Sequence, residues 1–242
     1  MRIWILACFL AFGAHAVVVE RNVAYGPGLA LDVYRPDRVG APPVIMMVHG
    51  GGWRHGSKDG YDAPMRWAVA AGFAAVAMNY RLDTPHPAAQ DDVAAAVRWT
   101  RSRFPRSPLF IFGESAGGHL ALLNATSVRA VAVFYPPTDL DLLMSDTPDA
   151  YLRECVRAVF GAATREASPV TFLASNHPPV FLAHGDADRV VPVNQTLQFA
   201  HRARALGVEV RTRILPGEGH GFNPGSRREA FAEVFRFFRS NG

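Results

Sequence analysis

The 242-residue chain is 49% hydrophobic and 19% charged, so it is long enough and apolar enough to bury one sizeable core. This composition excludes a disordered chain and a coiled coil. The formal net charge is +4, but basic residues concentrate only in "RSRFPR" and "SRREAFAEVFRFFR", and the second has the spacing of an amphipathic helix with a basic solvent face. We therefore expect no nucleic-acid partner.

The first sixteen residues, "MRIWILACFLAFGAHA", have the parts of a secretory signal peptide. Arg2 is followed by an apolar stretch and then by Ala-His-Ala, which fits an A-x-A cleavage site. The apolar run is too short to span a bilayer, so the sequence predicts a secreted or periplasmic protein with no stable membrane anchor. Cleavage would remove Cys8 and leave Cys155 without a partner for an internal disulfide. The alternative is a buried N-terminal strand or helix.

Apolar strand patterns follow one another through the rest of the chain. In chain order they are "VVVERNVAY", "ALDVYRP", "VIMMVHG", "FAAVAMNY", "LFIFGES", "AVAVFYP", "PVFLAHG" and "VEVRTRIL". The middle strands are continuous apolar runs, which is typical of strands buried on both faces of a parallel sheet. The first two and the last alternate more, as edge or antiparallel strands do.

Helical patterns lie between these strands. They are "YDAPMRWAVAAG", "QDDVAAAVRWTRSRF" (with Asp91 and Asp92 in its first turn), "AGGHLALLNAT", "VNQTLQFAHRARALG" and "RREAFAEVFRFFRS". Such alternation predicts one three-layer α/β/α domain over residues 17–242, with a mostly parallel eight-stranded sheet. A small insertion at about residues 137–178 contains one clear helical stretch, around residues 151–160, and we expect it over the carboxyl end of the sheet.

The segment "LFIFGESAGGHLALL" predicts a strand, a sharp turn and a helix, with Gly-x-Ser-x-Gly at the turn. A serine at such a turn has a strained backbone, so its neighbours must lack bulk, and Gly113 and Gly117 meet that need. The dipole of the following helix favours negative charge at its start. In this context Ser115 is the candidate nucleophile.

A serine nucleophile needs a histidine base and a carboxylate that orients it. His220 lies in "PGEGHGF", a glycine-rich loop between the last strand and the last helix, which is where such a base would stand. His177, His184 and His201 fit less well. The carboxylate should follow "PVFLAHG", where Asp186 and Asp188 are both candidates that spacing alone does not separate.

The oxyanion of an acyl-transfer transition state needs preorganised backbone donors. "HGGGW", starting at His49, follows a buried strand, and its glycines let backbone N–H groups approach a ligand. The alternative, a phosphate-binding turn, lacks both the Gly-Lys-Ser/Thr ending of a P-loop and the spacing of a dinucleotide loop. No His, Cys or Asp cluster has zinc spacing, so we expect neither a metal nor a cofactor.

"HGGGW", "MNYRL", "GESAGGHLAL", "HGDADRVVP" and "GEGHGF" together resemble the α/β-hydrolases. Within them the chain is similar to the small carboxylesterases of the hormone-sensitive-lipase-like and feruloyl-esterase-related groups. The resemblance implies Ser115 as nucleophile, His220 as base, and Asp188 rather than Asp186 as the acid. It also implies oxyanion donors at the amides of Gly51, Gly52 and Ala116, with Arg81 and Asp92 in structural roles.

The chain departs from the hormone-sensitive-lipase-like pattern in two places. Few residues precede "HGGGW", which leaves no room for a helical cap, and the loop after "NYRL" is short. Both differences predict an open, shallow site and a serine carboxylesterase for small or medium acyl or aromatic esters. The alternatives are an arylformamidase or peptidase-like amide hydrolase, and a non-catalytic binding protein on the same fold.

Overall fold

The structure is a computed structural model and describes residues 16–37 and 40–242. Except for Ala16, the predicted signal peptide lies outside the described residues. Eight strands form one sheet: β1 (Val17–Gly26), β2 (Leu29–Pro36), β3 (Val44–Val48), β4 (Ala74–Met78), β5 (Leu109–Glu114), β6 (Val131–Phe134), β7 (Val180–Gly185) and β8 (Val210–Leu215). All eight correspond to strands predicted from the sequence.

The strands are arranged in the order β1-β2-β4-β3-β5-β6-β7-β8. β2 is antiparallel to both of its neighbours, whereas β4, β3, β5, β6, β7 and β8 run parallel. Every residue of β3 to β7 is buried, as their unbroken apolar sequence predicts. We call the edge where the parallel strands end the carboxyl edge, and the edge where they begin the amino edge.

Seven α-helices lie within the described residues: α1 (Asp62–Ala70), α2 (Ala88–Arg103), α3 (Ala116–Leu123), α4 (Leu140–Asp146), α5 (Ala150–Phe160), α6 (Asn194–Ala205) and α7 (Pro224–Ser240). Alternate residues of each strand face opposite layers. Ile45 and Met47 pack with α1 and α7, whereas Met46 and Val48 pack with α2, α3 and α6. The predicted three-layer sandwich is therefore confirmed, and it is the α/β-hydrolase fold.

Two details differ from the sequence predictions. The insertion contains α4 as well as the expected helix α5, because Asp139 caps a short apolar helix by accepting a hydrogen bond from the backbone N–H of Leu142 at 3.0 Å. Asp92 is also not in the first turn of α2, which begins four residues earlier. Its carboxylate instead turns toward Arg81, whose Nη2 donates to Oδ1 at 2.7 Å.

None of the helices within the described ranges is both long enough and apolar enough to cross a membrane.

Candidate active site

Ser115 lies at the turn between β5 and α3. Its backbone angles are φ 52° and ψ −123°, a combination that residues other than glycine rarely adopt. The turn is possible because its neighbours lack side chains. A Cβ on Gly113 would lie 2.2 Å from the carbonyl oxygen of Gly117, and a Cβ on Gly117 would lie 2.1 Å from that of Val48. The strained turn therefore presents the serine hydroxyl at the carboxyl edge of the sheet.

The structure brings three of the predicted residues into contact. Nε2 of His220 lies 3.0 Å from Oγ of Ser115, and Nδ1 of His220 lies 2.7 Å from Oδ2 of Asp188. Because a carboxylate only accepts, the ring proton resides on Nδ1, which leaves the Nε2 lone pair directed at the serine hydroxyl. This arrangement of the three side chains is the one that removes a proton from a serine nucleophile.

Asp188 remains ionised although it is buried. Burial raises its pKa, but hydrogen bonds from His184 and His220, and from the backbone N–H of Val191, outweigh that effect and leave the pKa below its ordinary value. Oδ1 accepts from the N–H groups of Val190 and Val191 at 2.8 and 2.9 Å. The carboxylate is thus charged and fixed in orientation, as a group that stabilises an imidazolium must be.

His184 is a second histidine on Asp188 that the sequence reasoning did not recognise. It is fully buried, with Nε2 3.3 Å from Oδ2 of Asp188 and 2.8 Å from the carbonyl oxygen of Val191. Both neighbours are acceptors, so Nε2 carries the proton and Nδ1 accepts from the hydroxyl of Thr196 at 2.8 Å. His184 therefore anchors the loop that holds Asp188.

The two other acids near His220 stabilise loops. Asp186 accepts a hydrogen bond from the N–H of Gly217 at 2.7 Å. Glu218 accepts from the N–H of Asn223 at 2.8 Å and from the hydroxyl of Ser226 at 2.7 Å. Of the candidate acids, it is Asp188 that the structure places against His220.

The glycine loop after β3 faces Ser115. Gly51 and Gly52 have φ values of 119° and 60° and line the same cleft as the serine. A Cβ on Gly51 would lie 2.1 Å from the carbonyl oxygen of His55, so the loop has its shape only with glycine there. Ala116 is the first residue of α3, where an N–H has no acceptor within the helix. Backbone donors predicted for an oxyanion thus flank the nucleophile.

A fully buried histidine on α3 holds the glycine loop against the turn at Ser115. Nδ1 of His119 accepts from the indole N–H of Trp53 at 3.2 Å, and Nε2 donates to the carbonyl oxygen of Ala167 at 2.9 Å. Burial lowers the pKa of His119 to about 3, so the ring is neutral. The sequence showed this histidine only as part of "GGHLAL", and its role depends on a contact 66 residues away in the chain.

Arg54 connects the glycine loop to two other segments. Its Nε lies 2.6 Å from Oδ1 of Asp83, and its Nη1 lies 2.9 Å from Oε1 of Glu154 on α5. These bonds raise the pKa of the guanidinium above its ordinary value, and the bond to Glu154 has the larger effect. The backbone N–H of Asp83 also donates to the carbonyl oxygen of Trp53 at 3.0 Å. The loop is therefore held by side-chain and backbone bonds from outside itself.

An ion pair between a buried carboxylate and a half-buried arginine lies beneath the nucleophile. Glu114, the residue before Ser115, accepts two bonds from Arg227 of α7, at 3.0 Å from Nε and 2.9 Å from Nη2. Tyr61 and Tyr135 donate to the same carboxylate at 2.8 and 3.0 Å. Burial, reinforced by Glu114, raises the pKa of both tyrosines well above the ordinary value.

Tyr135 connects this network to His220. Its ring centroid lies 4.5 Å from that of His220, and its hydroxyl is fixed on Glu114. The ion pair thus links the nucleophile strand β5, the end of β6 and the helix that follows the His220 loop. Sequence reasoning did not identify this network, because its four members are separated by up to 166 positions along the chain and meet only in the fold.

Ser115 and His220 line a cleft of about 440 Å³. Its lining is completed by the glycine loop, Glu114, Tyr135, Val190 and Gly221, and by Asp149, Tyr151 and Leu152 at the start of α5. The side chain of Tyr151 is exposed, and its ring lies parallel to that of His55, 6.1 Å away. The start of α5 therefore forms one wall of the cleft. Among residues 16–37 and 40–242, no group of three or more His, Cys, Asp or Glu could hold a metal ion.

A family model described as BD-FAE matches residues 31–203, well over half of the chain. The chain belongs to the BD-FAE family. Among curated proteins, this BD-FAE member is 32% identical to esterase LipC of Mycobacterium tuberculosis over 91% of the chain, and it spans 64% of the length of LipC. It is 29% identical to carboxylesterase NlhH of the same species, covering 85% of the chain and 75% of NlhH.

A solved structure described as a truncated form of carbohydrate esterase from gut microbiota superposes on this BD-FAE member with a TM-score of 0.80 and 25% identity. The match covers 94% of this chain and 96% of the other. The fold and the family predicted from the sequence motifs are thus confirmed.

Proposed function

We propose that this protein is a serine carboxylesterase in which Ser115 is the nucleophile, His220 the general base and Asp188 the orienting acid. The observation that carries the proposal is the continuous contact from Asp188 through His220 to Ser115, beside a glycine loop that lines the same cleft. The esterases among the relatives and solved structures support the same chemistry.

In the first half-reaction, Oγ of Ser115 attacks the acyl carbon while Nε2 of His220 takes the hydroxyl proton. The negative charge that develops on the acyl oxygen is stabilised by the backbone N–H groups of Gly51, Gly52 and Ala116. Asp188 stabilises the imidazolium. When the tetrahedral intermediate collapses, the bond to the leaving oxygen breaks and His220 gives its proton to that oxygen, which releases the alcohol.

In the second half-reaction, His220 takes a proton from water, and the resulting hydroxide attacks the acyl carbon. Collapse breaks the bond to Oγ of Ser115, which recovers the proton from Nε2. The net change is one ester and one water converted into one carboxylic acid and one alcohol. No cofactor takes part in this proposal.

The cleft favours esters with a small or medium acyl group or an aromatic group. Its volume of about 440 Å³ and its wall of Leu152, Val190 and Tyr151 offer apolar contact beside Ser115. An acyl series of p-nitrophenyl esters from acetate to palmitate tests this. We expect kcat/KM to be highest for chains of two to about six carbons. A maximum at palmitate would contradict the proposed substrate range.

The decisive experiment is active-site labelling with a fluorophosphonate. We expect one covalent adduct on the wild-type protein, located on Ser115 by peptide mass spectrometry, and none on Ser115→Ala. Ser127→Ala is the matched control, because Ser127 is exposed in the short turn that follows α3, and it should label like the wild type. A folded wild-type protein that does not label would overturn the proposal.

We also propose that the protein is exported, since residues 1–16 have the pattern of a cleavable signal peptide. Fractionation of the expressing cells, with N-terminal sequencing of the protein, tests this. An N-terminus at Val17 in the periplasm or medium is expected, and an intact Met1 on cytosolic protein would contradict it.

A further inference from the structure

The amino edge of the sheet carries a group of arginines that the proposed reaction does not use. The segment "RSRFPR" ends α2 and leads into β5, so Arg101, Arg103 and Arg106 lie at this edge. Arg129 precedes β6 by two residues, and Arg35 is near the end of the antiparallel strand β2, at the same edge. Five arginines from three separate segments thus meet on one face.

Two clefts lie side by side on this face, which we call the arginine face. One, of about 260 Å³, is lined by Arg35, Arg103 and Arg106, and the other, of about 510 Å³, by Arg101, Arg106 and Arg129. Residues 104–107 line both clefts and form the ridge between them. The ridge carries Phe104, which is half-buried, and the exposed Pro105.

The five arginines of the arginine face outnumber the nearby acids Glu20 and Asp37 in the part of the chain that the structure describes. Among the described residues, neither cleft has Asp or Glu in its lining. Glu20 pairs with Arg103 at 3.3 Å and with Arg35 at 3.7 Å, so one carboxylate serves two guanidinium groups. Within residues 16–37 and 40–242, the guanidinium groups of Arg106 and Arg129 have no hydrogen bond or ion pair.

The N-terminal segment of the chain joins the fold at the same face. Val17 is paired with Pro36, and the carbonyl oxygen of Ala16 accepts from the N–H of Asp37 at 2.8 Å. The fifteen residues before Ala16 are almost all apolar and contain one arginine. The described part of the chain therefore begins at the arginine face.

We propose that the arginine face binds the surface of an anionic lipid membrane. Lipid phosphates provide the negatively charged partner that Arg106 and Arg129 lack within the described residues. One guanidinium group can donate two parallel hydrogen bonds to the oxygens of one phosphate. Arginines near an anionic surface act together, since each adds to the binding free energy. The two clefts accept adjacent headgroups, with the ridge between them.

Binding in this orientation leaves the site at Ser115 accessible. The arginine face is at the amino edge, and Ser115 is at the carboxyl edge, separated by the six residues of β5, which span about 20 Å. A membrane-bound molecule therefore continues to hydrolyse a soluble ester. This distinguishes the surface from a substrate-binding site.

Vesicle sedimentation tests the proposal, with the full chain and vesicles of phosphatidylcholine alone or mixed with phosphatidylglycerol. We expect the wild type to sediment with the mixed vesicles at low salt and to be released as salt rises. The double variant Arg106→Glu/Arg129→Glu should bind the mixed vesicles at least about tenfold more weakly. Its activity on p-nitrophenyl acetate should stay within about twofold of wild type, which also reports that it folds.

The matched control is Arg202→Glu/Arg236→Glu, which makes the same charge change on the exposed surfaces of α6 and α7. It should retain vesicle binding. Equal loss in the two variants, or equal binding of wild type to neutral and anionic vesicles, would overturn the proposal. If the first variant is inactive, Arg106→Gln/Arg129→Gln replaces it.

A double-stranded oligonucleotide provides the last arm, because nucleic acid also carries phosphates. If the arginine variant loses binding to the oligonucleotide but keeps its binding to anionic vesicles, the membrane proposal is wrong and the surface binds nucleic acid instead. Loss of vesicle binding, with intact binding by the control, supports the membrane surface.

Discussion

The two edges of the sheet differ in what surrounds their arginines. At the carboxyl edge, Arg54, Arg81 and Arg227 each bind one or two carboxylates at distances of 2.6 to 3.0 Å. At the amino edge, the guanidinium groups of Arg106 and Arg129 have no carboxylate partner within the described part of the chain. The same side chain therefore stabilises structure at one edge and is available to a ligand at the other.

This difference shows how the requirements of catalysis are met. A serine, a histidine and an aspartate must be kept within a few tenths of an ångström of a working geometry, so the loops that carry them need many bonds. Contact with a membrane surface has no such requirement, because flexible charged side chains are sufficient. Substitutions in the bonded networks around Ser115 should therefore change activity and stability, and substitutions of Arg106 and Arg129 should change neither.

The largest effect is expected for the acid. Asp188→Asn should lower kcat by about 10⁴-fold, because an amide no longer holds His220 in the tautomer that accepts the serine proton. Asp186→Asn keeps an oxygen that accepts from the N–H of Gly217 and removes only the charge, so it should change kcat by less than about tenfold. Steady-state hydrolysis of p-nitrophenyl acetate by the two variants measures this. Inactivity of the Asp186 variant with normal activity of the Asp188 variant would show that the acid is misassigned.

The next largest effect is expected at the ion pair beneath the nucleophile. Arg227→Met leaves Glu114 buried without its charged partner and should reduce the free energy of unfolding by about 3 kcal/mol. It should also lower kcat more than it changes KM, because Tyr135 then loses its fixed position beside His220. Urea denaturation and steady-state kinetics measure the two effects.

A second change separates charge from packing in this prediction. Glu114→Gln/Arg227→Met removes both charges and should recover part of the lost stability, whereas Glu114→Gln alone should not be as damaging as Arg227→Met. If Arg227→Met has the stability and kcat of the wild type, the network does not position the site.

Acid should destabilise the fold through His119. Its pKa is about 3 in the folded protein and about 6.5 when unfolded, so between these values the unfolded state binds a proton that the folded state does not. The contribution of neutral His119 to the free energy of unfolding is therefore fully present above pH 6.5. It falls as the pH drops, by up to about 1.4 kcal/mol per pH unit. Urea midpoints at pH 6.5 and 5 measure the slope.

His119→Gln keeps a polar group at this position but does not titrate. Its unfolding free energy should fall less between pH 6.5 and pH 5 than that of the wild type, although His49 and His177, whose pKa values are also lowered by burial, maintain some slope. Identical slopes in the variant and wild type would show that the neutral ring of His119 does not contribute.

The smallest effect at the carboxyl edge is expected for Arg54→Met. Both of its acid partners are more than half exposed, so the loss of unfolding free energy should be small. Without these bonds the glycine loop is held less firmly beside Ser115, so kcat/KM should nevertheless fall several-fold. Thermal denaturation together with kinetics measures the two quantities, and a variant with wild-type kcat/KM would show that the backbone bonds of the loop are sufficient.

Much of the fold and the central residues of the site could be predicted from the sequence. The eight strands and the turn at Ser115 are local patterns, because apolar runs and glycines act over a few residues. Helix α4 was missed, since seven residues carry too weak a periodicity. Asp186 and Asp188 were separated only by the family resemblance, because both carboxylates lie in the same loop and the direction of each side chain depends on the loop backbone.

The sequence by itself determined the layers of the sheet, the strained turn and the candidate residues Ser115 and His220, because each depends on short-range sterics and hydrophobic pattern. Only the tertiary structure decided that His184 supports Asp188, that Trp53 bonds to His119, and that Glu114 meets Arg227. It also placed five arginines from three segments on one face. These features join residues far apart in the chain, and such contacts form only when the sheet brings distant segments together.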